Sequence, residues 1–322
     1  MCLDPASEVW HGMELAGLEV TTVQGTSVEG VCPAPQPFFI GGVHGRTGTS
    51  VVKRLLCSHP QVSAVSGGET RMLEAISELW PILDADVGYT PGAASAALAG
   101  FSGHVRETLG DTPEVQAALE CLFAGLGART VRLVGRPRLP LPSPMSSREL
   151  APLFAAFLTS VFRAAALDPS RPFLCEKTPS NAQYVRRLRL LMPECRVVVM
   201  ARHPVHVALS HTRRDWGPPD PVEAAAYTAA YFRSWRDVAL DDDRVVMVRH
   251  ERLVAEPRQV LDEVRAFLQL PPDTDWLDQA SAEIQPSQDR TASLPDKRLA
   301  EMHAELAEEI EYYGYRAPAG AW

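Results

Sequence analysis

The sequence predicts an α/β protein, a three-layer parallel sheet flanked by helices in a single domain, and three observations carry that expectation. Short valine- and isoleucine-rich runs alternate along the chain with longer apolar patterns of helical spacing. Several of the short runs end in a polar cluster, and a parallel sheet gathers its strand ends on one edge. The chain has 322 residues, 46% of them hydrophobic, which is enough to bury one full core.

Residues 1–36 are mixed in pattern and lead into the proline-rich stretch Cys32-Pro33-Ala34-Pro35-Gln36-Pro37, so they are expected to form a partly ordered arm before the domain of residues 37–322. Phe38-Phe39-Ile40 is an apolar strand that runs into a glycine-rich turn. Val51, Val52, Leu55 and Leu56 then mark a helix. Residues 62–65 read as a second strand ending at Ser66-Gly67-Gly68. Glu69-Thr70-Arg71 opens a helix with apolar positions Met72, Leu73, Ile76 and Leu79. Residues 82–129 are alanine-rich and helical in pattern, with breaks expected at Pro91, Gly103 and Gly110. The four prolines between 137 and 144 predict an irregular loop.

A helix over about 147–167 comes next. The brief strand Phe173-Leu174-Cys175 leads to Glu176-Lys177-Thr178-Pro179-Ser180-Asn181 and a helix through Tyr184, Leu188 and Leu191. Residues 196–201, with three consecutive valines, form the clearest strand and end at Arg202-His203-Pro204, where another helix begins. Residues 244–248 are one more strand, followed by a helix over 258–268. A charged helix over 296–313 closes the chain. Neither an internal repeat nor a low-complexity segment is evident.

Bulk properties narrow the function. A net charge of -9 argues against a general nucleic-acid or anionic-membrane binder, so any anion site must be a local concentration of basic groups. Lysine occurs only at 53, 177 and 297. The six cysteines are scattered, with no C-x-x-C pair and no Cys/His cluster, which suits reduced thiols rather than a disulfide framework or a zinc site. No stretch approaches the ~18 apolar residues of a membrane span. The first 36 residues lack a signal-peptide pattern, so a cytoplasmic protein is expected.

Residues 38–50 carry the strongest chemical signal. Glycines let the backbone bend tightly and turn several N–H groups toward one point, and the following helix adds its positive N-terminal end. The turn is an anion cradle, which makes the expected sheet P-loop-like. A nucleoside-triphosphate loop of the Walker type has Gly-Lys-Ser/Thr at the helix start. Here Gly48 is followed by Thr49, and the cation of the turn is Arg46. This loop suits a phosphate-like group but lacks the lysine that serves a γ-phosphate.

Four clusters sit just after predicted strands: Arg46 to Ser50, Glu69 to Arg71, Glu176 to Thr178, and Arg202 to Ser210. On a parallel sheet they converge on one crevice. Arg202 and Ser210 are eight apart, a spacing that lets a guanidinium and a hydroxyl grip one phosphate. Singly, each cluster has a plainer reading. The loop can be a tight turn, Glu69 a helix cap paired with Arg71, Arg202 and Lys177 surface charges, and Ser210 an ordinary helix serine.

Together the clusters resemble sulfotransferases that use 3′-phosphoadenosine 5′-phosphosulfate (PAPS), over nearly the whole chain from Pro37 to Tyr315. The segment from Gly42 to Ser50 is similar to the family's 5′-phosphosulfate loop, and Arg202 with Ser210 has its 3′-phosphate spacing. The run Val248 to Pro257 followed by Phe267-Leu268 resembles the family's late strand–helix unit. Gly68-Glu69-Thr70-Arg71 is similar to the segment that carries the catalytic glutamate of tyrosylprotein sulfotransferases. The segment Ile284 to Asp289 resembles one that supplies a serine, here Ser287, near the sulfonate. Three departures stand out: His44-Gly45 where the family usually has one proline, Glu176-Lys177-Thr178-Pro179 in place of an Asn-Lys-Asp-Pro type segment, and the lack of a membrane anchor.

The resemblance implies transfer of a sulfuryl group from PAPS to an acceptor hydroxyl, leaving adenosine 3′,5′-bisphosphate. Glu69 would act as general base, with Lys177 and Arg46 neutralising the leaving oxygen. Arg46, Thr47, Gly48, Thr49, Ser50, Arg202, Ser210 and Ser287 would hold the nucleotide, and Glu69 and Arg71 the acceptor. That chemistry asks for no metal. The acceptor would be a small molecule or peptide bearing a hydroxyl, with neither nucleic acid nor membrane as partner, and the oligomeric state stays open. A P-loop kinase and a non-catalytic nucleotide-binding protein are the alternatives. Against the kinase stand the missing Gly-Lys step and Arg202 where a magnesium-binding aspartate is expected.

Overall fold

The computed structural model describes residues 36–87, 89–127, 129–131, 139–234, 236, 242–285 and 291–315, and backbone alone for 129–131 and 139–141. In chain order the elements are β1 (Gln36–Gly42), α1 (Thr49–Cys57), β2 (Val62–Ala64), α2 (Met72–Leu83), α3 (Pro91–Leu109), α4 (Pro113–Gly125), β3 (Arg129–Val131), β4 (Leu139–Leu141), α5 (Ser147–Ala164) and β5 (Phe173–Lys177). A 3₁₀ turn (Pro179–Tyr184) leads into α6 (Val185–Leu191), β6 (Arg196–Ala201), α7 (Pro204–His211), α8 (Pro221–Ser234), β7 (Val245–Arg249), α9 (His250–Ala255), α10 (Pro257–Phe267), α11 (Thr274–Ala282), α12 (Asp296–Glu305) and α13 (Ala307–Tyr312). Residues 1–35, which make up nearly all of the expected arm, lie outside the described residues.

Five strands pair in parallel in the order β2-β5-β1-β6-β7, with helices on both faces. β1 lies at the centre because it can be buried on both sides: Phe38, Phe39 and Ile40 are all buried. Side chains alternate across the sheet with a period of two. Phe39, Leu174, Val197 and Val199 enter a large core with α2 to α8. Phe38, Ile40, Cys175, Val198 and Met200 enter a second one with α1, α10 and α11. The chain builds outward from β1 to the β2 edge and later to the β7 edge. The carboxyl end of β1 is thus a switch point, where a crevice forms.

Three expectations need correction. Gly103 does not break its helix: α3 runs from Pro91 to Leu109. Its buried positions Ala94, Leu98, Phe101, Val105 and Leu109 keep helical spacing, and this burial outweighs the ~1 kcal/mol a helical glycine costs. The proline-rich segment is not wholly irregular, since β4 pairs antiparallel with β3, Pro140 opposite Thr130. A two-stranded ribbon has outer edges, where a missing N–H costs nothing. The terminal helix is two helices, divided at Leu306, which is fully buried.

Gly41 sets the distance between β1 and the 3₁₀ turn. A Cβ there would lie 2.4 Å from Ala182 Cβ and 2.6 Å from Ala182 N. That close approach also lets Asn181 Nδ2 donate to Ile40 O at 3.2 Å. Gly41→Ala must push the turn off the strand, and overpacking of this kind costs about 1–3 kcal/mol. The expected result is an earlier midpoint in urea unfolding, and an unchanged midpoint would contradict the close packing.

Candidate active site

The first wall is the loop after β1. Val43 N–H donates to Met200 O at 3.0 Å, carrying the β1–β6 pairing one residue past the strand. The chain then folds back, and Thr47 Oγ1 donates to His44 O at 2.9 Å. Arg46 and Gly48 take left-handed backbone angles, φ 73° and 103°. Gly48 is also confined sterically, since a Cβ there would sit 3.0 Å from the His250 ring. Val51 and Val52 donate to Gly48 O, so the N–H groups of Thr49 and Ser50 have no partner within α1, and both residues line the cleft at the positive helix end. Arg46 Nε donates to Ser210 Oγ at 3.0 Å, which fixes the guanidinium against α7.

The second wall is the turn between β2 and α2. Lys53 Nζ, on α1, donates to Ser66 O at 3.1 Å and Gly68 O at 3.2 Å. Beyond them a buried carboxylate organises the chain. Glu176 Oε1 accepts from Thr70 Oγ1 at 2.7 Å, Thr178 Oγ1 at 2.8 Å and Thr70 N–H at 3.4 Å, while Oε2 accepts from Asn181 Nδ2. Thr178 Oγ1 in turn accepts from Arg71 N–H at 3.1 Å. His104, on α3, donates from Nε2 to Thr70 O at 2.9 Å.

This frame delivers Glu69 to Lys177: Nζ donates to Oε1 at 2.7 Å. Lys177 is 7% exposed and Glu69 38%, so the carboxylate is open to the cleft while the ammonium backs it. Glu69 does not cap α2. The cap position is Arg71, at φ 50°, with no side-chain cap bond.

The walls enclose a cleft of about 630 Å³. Arg46, Gly48, Thr49, Ser50, Glu69, Arg71 and Arg202 all line it. Thr47 is buried inside its own loop, Ser210 sits behind the wall holding Arg46, and Lys177 meets the cleft through Glu69. Ser287 lies outside the described residues. Among the described residues no three His, Cys, Asp or Glu side chains gather as a metal site. The sequence alone did not assign roles to Glu176, Thr70 and Asn181. The available signal was a carboxylate closing a strand that is apolar up to that point. Glu74, Tyr184 and His250 also line the cleft, and no local pattern marks them.

One side of the cleft is aromatic. His44 lies 4.3 Å, between ring centroids, from Tyr231 and 4.4 Å from His211. Burial, aided by His211, lowers the His44 pKa from 6.5 to about 3. Burial, then the charges of Arg46 and Arg214, lowers His211 to about 4. His44 is therefore neutral near pH 7 and a poor proton acceptor.

As pH falls through 6.5 the unfolded chain protonates these imidazoles while the folded one does not, so stability declines from pH 6.5 toward about 4. The melting temperature is expected to fall over that window. In NMR titrations the His44 and His211 ring protons should stay unshifted from pH 7.5 to 5. A midpoint near 6.5 at either ring would contradict this environment.

Residues 102–275, more than half of the chain, match the family described as "Sulfotransferase family", a span that holds Glu176, Lys177, Arg202 and Ser210. An uncharacterized protein of Aquifex aeolicus is 24% identical over 170 residues, 48% of this chain, which spans only 21% of that relative's length. Among solved structures, the sulfotransferase domain of the Synechococcus PCC 7002 olefin synthase is similar with a TM-score of 0.46 and 17% identity, covering 92% of this chain and 100% of that one. Sulfotransferase STF9 of Mycobacterium avium gives 0.44 and 16%, covering 87% and 77%. On the family match over more than half its length, the chain belongs to the sulfotransferase family.

Proposed function

We propose that this protein transfers a sulfuryl group from PAPS to the hydroxyl of a small-molecule or peptide acceptor, with Glu69 as general base. The observation that carries the reading is the Glu69–Lys177 pair, 2.7 Å apart, on the same cleft as the Arg46–Ser50 loop. The donor set suits a nucleotide with two separated anionic groups. Arg46, Thr49, Ser50 and the first N–H groups of α1 would hold the 5′ end. Arg202, at the end of β6, would hold the 3′-phosphate, with Ser210 steadying the site through Arg46.

Bound PAPS supplies an electron-poor sulfur that already carries its leaving group. The protein's part is positioning and charge stabilisation. Glu69 accepts the proton of the acceptor hydroxyl as that oxygen bonds to sulfur. Lys177 and Arg46 offset the negative charge that grows on the departing oxygen, and a compact ammonium suits a charge that shifts during the reaction. Thr49, Ser50 and the loop N–H groups would donate to the sulfonate oxygens. Likeness in Gly68 to Arg71 to tyrosylprotein sulfotransferases supports a phenolic or alcoholic acceptor, with Arg71 at its mouth. The four described cysteines, all free, suit a reducing cytoplasm.

Two measurements test this. In calorimetric titrations adenosine 3′,5′-bisphosphate is expected to bind more tightly than AMP, ADP or ATP. Arg202→Ala should erase most of that preference, because a lost charge-assisted contact costs about 1.5–3 kcal/mol. ATP binding as tightly would overturn the donor assignment.

Glu69→Gln is expected to leave nucleotide affinity nearly unchanged and to lower the single-turnover rate by roughly 10²–10⁴. A folded Glu69→Gln protein with normal turnover would remove Glu69 from the role of base.

A further inference from the structure

A second cavity, of about 380 Å³, lies between α2 and α3. It adjoins the main cleft, for Arg71 and Glu74 line both. Leu79 and Phe101 are buried beneath it and Ile82 packs alongside, while Arg71, Glu74, Glu78 and His104 also line it. Gly100 of α3 lines it, and an added Cβ there would meet no atom within 4 Å.

The position of the groove relative to Glu69 gives it meaning. Arg71 holds the position before α2 and Glu74 sits in its first turn, so the groove begins within one helical turn of the Glu69 turn. A molecule with its hydroxyl at Glu69 and its body running along α2 would pass Arg71 and Glu74 to reach the groove. The loop side of the main cleft bears Arg46 and Arg202, whereas the groove floor offers hydrocarbon. His104 at the groove wall donates to Thr70 O, the residue next to Glu69, so the wall and the base-bearing turn are held together.

We propose that this groove is an acceptor-extension subsite, and that the acceptor is a hydroxyl compound with an unbranched apolar arm of several carbons lying between α2 and α3. The inference rests on the sulfuryl-transfer reading for the hydroxyl end alone; the groove's preference for an apolar arm is a matter of burial. Each methylene taken from water is worth ~0.8 kcal/mol, about four-fold in affinity.

The test uses phenol, 4-ethylphenol, 4-butylphenol and 4-hexylphenol as probes. Calorimetry measures their binding to the protein alone, and turnover with PAPS gives kcat/KM for each. Affinity and kcat/KM are expected to climb about four-fold per methylene while the arm is being buried. In Gly100→Trp, whose indole fills the groove, the ratio of 4-hexylphenol to phenol should collapse toward one in both measurements. Ala97→Leu, a smaller obstruction, should lower the ratio by an intermediate amount. Ratios within one preparation do not depend on the fraction of folded protein.

A chain-length gain that survives both substitutions, or no gain in the unaltered protein, would overturn the subsite. Length-dependent binding that Gly100→Trp abolishes, with no phenol sulfated, would instead refute the transfer reading and leave the groove standing. Sulfation of phenol with no length dependence would do the reverse.

Discussion

A single buried carboxylate governs the geometry of the site. Glu176 is 1% exposed and closes β5, a strand buried along its length. An ionised side chain there is tolerable only with its oxygens fully engaged. The side chains of Thr70, Thr178 and Asn181 meet that demand, together with the Thr70 N–H. These donors come from the β2–α2 turn and from the 3₁₀ turn, so satisfying one charge joins two segments that are distant in sequence. Glu69 and Arg71 flank Thr70, and Lys177 and Thr178 follow Glu176. The pairing of Glu69 with Lys177 is thus a consequence of how a neighbouring acid is solvated by protein.

The sheet supplies the other half of the arrangement. β5 and β6 flank β1 in parallel, so the loop after β1, the Lys177–Thr178 segment and Arg202 emerge at one edge. Strand burial fixes this register, because a slip by one residue would turn Phe39 into the wrong core. The rigid layer carries positions, and the loops carry chemistry. Arg46 shows the division of labour: its left-handed backbone is set by the loop, while its side chain is steadied by Ser210 from another element.

Much of this was legible in the sequence, for physical reasons that differ by element. β1 and β6 stood out because strands buried on both faces read as unbroken apolar runs. The polar clusters at strand ends were visible because parallel topology makes their convergence almost obligatory. Gly103 misled because local propensity is weak beside the burial of Leu98, Phe101 and Val105. Pro140 misled because the cost of proline depends on which edge its nitrogen faces, and that is set by pairing. The bond that Ser210 accepts from Arg46 spans 164 positions, and no local pattern encodes it. The Glu176 network is hidden for the same reason, since Thr70 lies 106 residues away and becomes a neighbour only through the β2–β5 pairing.

The scarcity of lysine acquires a practical meaning in this light. The chain has three, and two of them brace the Glu69 turn, Lys53 through the carbonyls of Ser66 and Gly68 and Lys177 through the carboxylate itself. The third, Lys297, is in α12. Chemistry that consumes amines, whether an acylating metabolite or a laboratory reagent, finds few side-chain targets on this protein, and most of them hold the putting-together of one turn. Such modification would fall on the turn that carries Glu69, a vulnerability that an arginine-rich chain otherwise avoids.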